Sequence, residues 1–421
     1  MSAVAAHPAT AMVRASLRGM RRPSQAARRV TGPLSVPFDG FSPETIADPA
    51  AAYRRLHAHP GVHPAGRAVF ALSGFDDVRT GAKANDVLIS GQGVTLFPAA
   101  MPMLLTTDRP RHGDLRRVLA RHFTAQRAEA MVPGMRELTG RALATMLARP
   151  GSDAVAELAI PLPVSVIGRL LGVPEADLPR LHRISDRLVE GTYAGTSLAA
   201  LPKGLGASAA ALELHRYMRG VFARLRREPG DDVISALLAS QDGGTLGDDE
   251  LFWMSLLLLV AGNETTTNLI GLLLIAFAEQ PELYDRVRAD PSRIPAAIEE
   301  GLRWGSPIQS MFRAAAADYQ VGATTIPAGA RVMLLFGAAN RDPRVFPDPD
   351  RFALDRETHD HLGFGMGIHF CLGAQLARIE ARVVLEELIE RVSRIELAGP
   401  VSWRANPTVH GPSRLPVRLV P

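Results

Sequence analysis

The sequence predicts a mainly α-helical single domain with a small β portion. Two observations carry that prediction. Helical spacing of apolar residues dominates from residue 125 onward, and the stretch from about Gly247 to Gln280 is so apolar that it fits a helix running through the core. No Gly/Ser-rich linker or repeat divides the later chain, so one domain is expected from about residue 39 to 421.

At 47% hydrophobic and 21% charged residues, the composition is that of a soluble globular protein. Residues 1–38 stand apart: Arg14, Arg18, Arg21, Arg22, Arg28 and Arg29 precede the first acidic residue, Asp39. That fits a disordered basic tail or an early start codon, with an organelle transit peptide as the alternative. No apolar run near the N-terminus forms a signal core or membrane anchor. The single cysteine, Cys371, excludes an internal disulfide framework and fits the cytoplasm. Aromatics are 5% and interleave no basic run, so nucleic acid is not an expected partner.

In chain order, Phe41–Arg79 mixes a short helix (Asp48–His57) with strands near Val62 and Ala68–Ser73. Residues 86–107 are apolar yet rich in Gly and Pro, which fits a buried loop lining a cavity or ordinary core packing. In Asp108-Arg-Pro-Arg-His112-Gly-Asp-Leu-Arg116, His112 and Arg116 share one helix face, an arrangement suited to an anion or to an exposed basic helix. Helices are predicted at Val132–Leu147, Val155–Leu171, Ala176–Leu188 and Ala207–Leu225. Between the last two, Gly191–Ser208 is small-residue rich and poorly patterned.

The long helix carries a polar break, Gly262-Asn-Glu264-Thr265-Thr-Thr-Asn, between two apolar runs each shorter than the about 20 residues a bilayer needs. Polar groups there are costly without partners or a task. Thr265 lies one turn beyond Ala261, whose carbonyl its hydroxyl can take. Gly262 removes bulk, so a flat cofactor or a water can approach the backbone. Further on, Glu300 and Arg303 stand at i, i+3 on a helix, Ile308–Arg313 is extended, and Asp318–Val332 has hairpin character. The only cysteine then sits where a Gly-rich turn (Gly363, Gly365, Gly367) feeds a helix, a place that favours a thiolate and thus a soft metal ligand. A small buried thiol is the alternative.

The loop reads Phe364-x-x-Gly-x-His369-x-Cys371-x-Gly373-x-x-Leu-Ala-Arg378. It resembles the haem-binding loop of the cytochrome P-450 monooxygenases, whose cysteine sulfur is the axial ligand of the iron. Four further elements resemble that family in type and order: the His112/Arg116 helix, Ala261-Gly262-x-Glu264-Thr265-Thr266, Glu300-x-x-Arg303, and Pro349-Asp-Arg351-Phe352.

The resemblance implies a cytochrome P-450-like, helix-dominated single domain holding one haem b (iron protoporphyrin IX). Cys371 would be the metal ligand, in a loop where Phe364, Gly365 and Gly373 approach the haem opposite Ala261 and Gly262. His112, Arg116, Arg313 and His369 would hold the propionates. Glu264 and Thr265 would relay protons to dioxygen, and Glu300, Arg303 and Arg351 would form a structural triad. The stretch Gly191–Ser208 would be a mobile lid. Val94, Leu96, Phe97, Met311, Phe312 and Val409 are the expected lining for a small hydrophobic substrate, hydroxylated or O-dealkylated, with Gln309 or His410 adding a polar contact. Electrons would come from a ferredoxin-type donor and its NAD(P)H-dependent reductase, steered by Arg111, Arg116, Arg117, Arg121, Arg378 and Arg382. Peroxide-using or isomerising haem-thiolate enzymes, which need not keep the acid–threonine pair, and a non-catalytic haem binder are the alternatives.

Overall fold

The computed structural model describes residues 30–421 except 97, 193–200, 245 and 357–359. Its axis is the helix Asp248–Glu279. By length and composition this helix is apolar enough to cross a bilayer, but most of it is buried inside the protein. Its first half (Leu251, Phe252, Met254, Leu258) packs in one apolar cluster with Leu115, Leu119 and side chains from Leu178–Thr192, Leu201–Arg227 and Val233–Asp242. Its second half (Leu269, Leu273, Phe277) packs in another with Val132–Leu147, Ile294–Gly305 and Ala374–Arg391. The polar break falls between the two clusters. Asp249 sits in its first turn, and the Gly247 N–H donates to Glu250 (2.9 Å), so acidic groups meet the positive end of the helix dipole.

A five-stranded sheet has the order Val62–Pro64, Val69–Leu72, Arg331–Leu334, Met311–Ala315, Leu88–Ile89. All neighbours are antiparallel except Val69–Leu72 beside Arg331–Leu334. The pairing Arg313↔Val332 alternates with Phe312↔Met333, so these two pairs point to opposite faces. A separate hairpin, Ser402–Trp403 with Pro412–Arg414, approaches the long helix near its polar break.

The mainly α architecture matches the expectation, and several boundaries differ. Residues 30–38 belong to the fold. Thr31 bridges Thr325, the Ser35 N–H donates to Val62 O, and Phe38 is buried, so the domain begins before residue 39. The expected helix Val155–Leu171 is a π-helical turn, Val155–Ala159, then a helix from Pro161, where proline fits the first turn. Of the stretch expected as a lid, residues 201–208 are helical, and 193–200 lie outside the described residues.

Candidate active site

The cysteine loop is shaped by backbone geometry. Gly365 and Gly367 adopt φ of 69° and 74°, a region other residues enter at a cost. A Cβ on Gly367 would also stand 2.8 Å from the Ala82 carbonyl. The Cys371 N–H donates to Phe364 O (2.9 Å), closing the turn. Arg378 lies over the Phe364 ring at 4.6 Å and pairs with Glu299 (2.6 Å). The helix starts at Ala374, three residues after the sulfur. Burial pushes the Cys371 thiol up, while the Gly373 N–H, Arg116 and Arg378 act in the opposite direction. A metal cation at the sulfur would favour the thiolate. A Cβ added to Gly373 would meet nothing within 4 Å, so the backbone is open beside the sulfur.

Hydrogen-bond donors without acidic partners gather next to it. Arg116 donates to Ile368 O (3.1 Å) and Phe370 O (2.9 Å), joining its helix to the loop. The His112 and His369 rings meet edge to face at 4.7 Å, and the Nε2 of each is buried with no partner. Burial, then Arg313, His112 and Arg116, pull His369 down to about 3. Burial pulls Arg313 down to about 10, and its recorded hydrogen bond is to the Phe312 carbonyl (2.9 Å). Buried donors left without acceptors destabilise a fold unless a ligand satisfies them. Two carboxylates carried on a flat group reaching the sulfur would do so, and haem has that shape and charge. His112, His369, Arg116 and Arg313 fit its propionates, and Cys371 fits its iron.

On the long helix, the Thr265 hydroxyl donates to Ala261 O (3.0 Å), and Ala261 is exposed. Glu264 turns elsewhere. It is buried and lies 3.2 Å from Arg404 on the hairpin. Gly262 meets the neighbouring helix: a Cβ there would stand 2.9 Å from Ile167. Close helix packing is one use of this glycine.

The structural triad has a different third member. Glu300 and Arg303 are fully buried and joined by two hydrogen bonds (2.7 and 2.8 Å). Arg303 also donates to the carbonyls of Asn340 (2.8 Å), Pro349 (2.9 Å) and Arg351 (3.2 Å). The guanidinium that reaches Glu300 is that of Arg356 (3.2 Å). Arg351 is exposed and contributes its backbone oxygen. Asn340 carries the network onward, accepting from the Leu362 N–H (2.6 Å) just before the cysteine loop.

Among the expected lining residues, Val94 O accepts from the Phe312 N–H (3.0 Å), and Val409 bridges Ile308. The Phe312 ring stacks on Phe41 and packs with Tyr53 and Met333, next to Leu96. Met311 points to the other face, toward the Phe70–Leu72 cluster. Phe97 lies outside the described residues. Gln309 is taken up by Tyr53, Gly305 O and Ser306 O, and His410 stacks on Trp403. Sequence reasoning missed Arg331. It is buried, and it holds the pocket loop by donating to the carbonyls of Gly93 (3.0 Å) and Thr95. An arginine opening a strand carries no signal of that role.

A sulfur in an open turn, with His112, His369, Arg116 and Arg313 gathered on one side of it, is the donor set of a haem-thiolate centre. The cytochrome P450 family model matches residues 213–396. Beta-dihydromenaquinone-9 omega-hydroxylase of Mycobacterium tuberculosis is 38% identical over 91% of this chain and 78% of its own length. The monooxygenase PikC of Streptomyces venezuelae is 35% identical over 95% and 97%. The structure of CYP109E1 from Bacillus megaterium, in complex with testosterone, superposes with a TM-score of 0.82 at 32% identity, covering 90% of this chain and 99% of that one. The chain belongs to the cytochrome P450 family. It is a haem-thiolate monooxygenase that uses haem b, dioxygen and electrons from a redox partner.

Proposed function

We propose that this protein oxygenates a neutral, hydrophobic substrate, with Thr265 holding the water through which protons arrive and Glu264 as their source. When bound, haem supplies reductive activation of dioxygen and transfer of one oxygen atom. The observation that carries the reading is the Thr265–Ala261 bond. The hydroxyl proton is committed to a carbonyl, which leaves the oxygen lone pairs free to accept from a water on the open side of the helix. Glu264, one residue earlier, is kept out of that space, and burial, the adjoining Asp186 and Glu190 push it up to about 8 against the pull of Arg404. That direction favours the protonated form, which a general acid needs.

Val94, Leu96 and Val409, the expected lining residues that stay on the Phe312 side, are apolar, which favours a hydrophobic substrate. Two structural relatives were determined with testosterone and with myristic acid, and a curated relative is named for a menaquinone. That supports an extended lipid-like or polycyclic substrate, hydroxylated or O-dealkylated. Electrons come from a ferredoxin-type donor served by an NAD(P)H-dependent reductase. Of the basic residues expected to steer it, Arg111 pairs with Glu250, Arg378 with Glu299 and Arg382 with Glu129. Arg117 also pairs with Asp114 (3.2 Å), but it is mostly exposed, and with Arg121 it remains the better candidate. The single cysteine, needed reduced, fits a cytoplasmic location.

The test is spectroscopic. The reduced, CO-bound holoprotein should show the thiolate-ligated signature, and apolar compounds should displace the iron-bound water more readily than charged analogues of equal size. A CO spectrum typical of a nitrogen ligand would refute the assignment of Cys371.

A further inference from the structure

Glu264 is buried, and neither of its oxygens has a hydrogen-bond partner of adequate geometry. What surrounds it is charged. Arg404 Nη1 lies 3.2 Å from Glu264 Oε2 and 3.5 Å from Asp186 Oδ1. His182 Nε2 lies 3.2 Å from Asp186 Oδ2, and Asn263 Nδ2 lies 3.0 Å from the other imidazole nitrogen. With the Asn263 amide nitrogen donating to Nδ1, the imidazole is neutral, and its Nε2 carries the proton and donates to Asp186. Burial favours that neutral form. Ligand atoms of His182, Asp186 and Glu264 all fall within 4.8 Å of one another. That is metal-site spacing, but Arg404 already supplies positive charge to both carboxylates and takes the place of a cation.

Counting charge decides what the cluster holds. Two carboxylates, one guanidinium and a neutral imidazole sum to one negative charge, which a buried site avoids. One shared proton balances it. Asp186 is about a third exposed while Glu264 is closed off from water, so the two carboxylates form a step from solvent to core. Their helices differ too. Asp186 sits on Leu178–Thr192, and Glu264 sits at the polar break of the long helix.

Building on the proposed role of Glu264, we propose that Asp186 reloads it: the proton that Glu264 gives up toward Thr265 is replaced by one taken from solvent at Asp186 and passed between the two carboxyl groups. One O–H bond breaks on Asp186 and one forms on Glu264, and no electrons move. Arg404 and His182 act as positioning residues that hold the two carboxylates together. The other charged group known to act on Glu264, Glu190, comes from the same helix as Asp186 and raises it in the same direction.

The test is an infrared titration of the full-length holoprotein, reading the protonated-carboxyl band that Glu264→Gln abolishes. Its midpoint should stand at about 8. Asp186→Asn removes the neighbouring negative charge and should lower the midpoint by about one unit or more, and Asp186→Glu should restore it. Arg404→Gln removes a positive charge and should raise it. Opposite shifts are the signature, because loosened packing would move both variants the same way. An unmoved midpoint in Asp186→Asn, or shifts of one sign in both, overturns the proposal. If instead Thr265→Ala leaves product per electron unchanged, the oxygenation reading fails whatever the infrared band does.

Discussion

Glu264 and Thr265 are adjacent in sequence, yet their side chains answer to different parts of the molecule. Thr265 bonds back to Ala261 on the open side of the long helix, while Glu264 reaches Arg404 on the C-terminal hairpin. Neighbours on a helix diverge by about 100°, so a water or a side-chain rotation must join them. Replacing Thr265 by Ala removes the acceptor and leaves the buried acid in place. Substrate binding and reduction should then persist while product per electron pair falls several-fold, measured as product formed against NAD(P)H consumed.

Glu300, Arg303 and Arg356 give a sharp contrast with Arg351. Removing one partner of a fully buried ion pair leaves the other uncompensated, so Arg303→Ala should cost about 3–5 kcal/mol. Arg356→Ala, at the edge of the network, should cost less, and Arg351→Ala should stay within about 0.5 kcal/mol. Urea denaturation with haem content read in parallel checks the ranking.

Two glycines of the cysteine loop should separate folding from cofactor binding. Gly367→Ala meets positive φ and the Ala82 carbonyl, and should destabilise the apoprotein by about 1–3 kcal/mol. Gly373→Ala has ordinary backbone angles and open space in the protein, so the apoprotein should keep its stability. Its methyl group would project beside the sulfur, so haem affinity should fall. Thermal melts of the apoprotein and haem titration distinguish the two.

Burial, with Arg341, holds His410 down at about 4, against an ordinary value of 6.5. Between those values the unfolded chain binds a proton that the folded chain does not, so stability rises with pH there and is lost as pH falls from 6.5 toward 4. His410→Gln should flatten that slope, which is at most about 1.4 kcal/mol per pH unit for one group. Urea midpoints at pH 7 and 5 measure it.

The cofactor ligand is the plainest case. Cys371→Ser should still take up haem through the His112, Arg116, Arg313 and His369 cluster, because those donors do not involve the sulfur. The thiolate spectrum and oxygen insertion should disappear.

The order of elements was legible because Cys371, His112/Arg116, Glu264/Thr265 and Glu300/Arg303 each mark a chemical requirement at fixed local spacing. The long helix was legible for the same reason, since its apolar runs admit one placement. The packing of Gly262 against Ile167 was not legible, because a missing side chain fits a cofactor and a packed helix equally well. Asp186 and Arg404 were invisible as partners of Glu264, lying 78 and 140 residues away along the chain. Arg351 was misplaced because Arg356 stands five residues on, and irregular backbone between them sets which guanidinium turns inward.

The Arg303 guanidinium carries one more consequence. From Asn340 to Arg351 it touches peptide oxygens, which every residue type presents alike. Apart from Phe346, whose buried ring lies under the guanidinium at 5.4 Å, that segment is thus held in shape by a grip indifferent to its side chains. Its outward face is free to be rewritten, for instance to suit a new electron donor, without moving Asn340, Leu362 or the metal-binding turn beyond them.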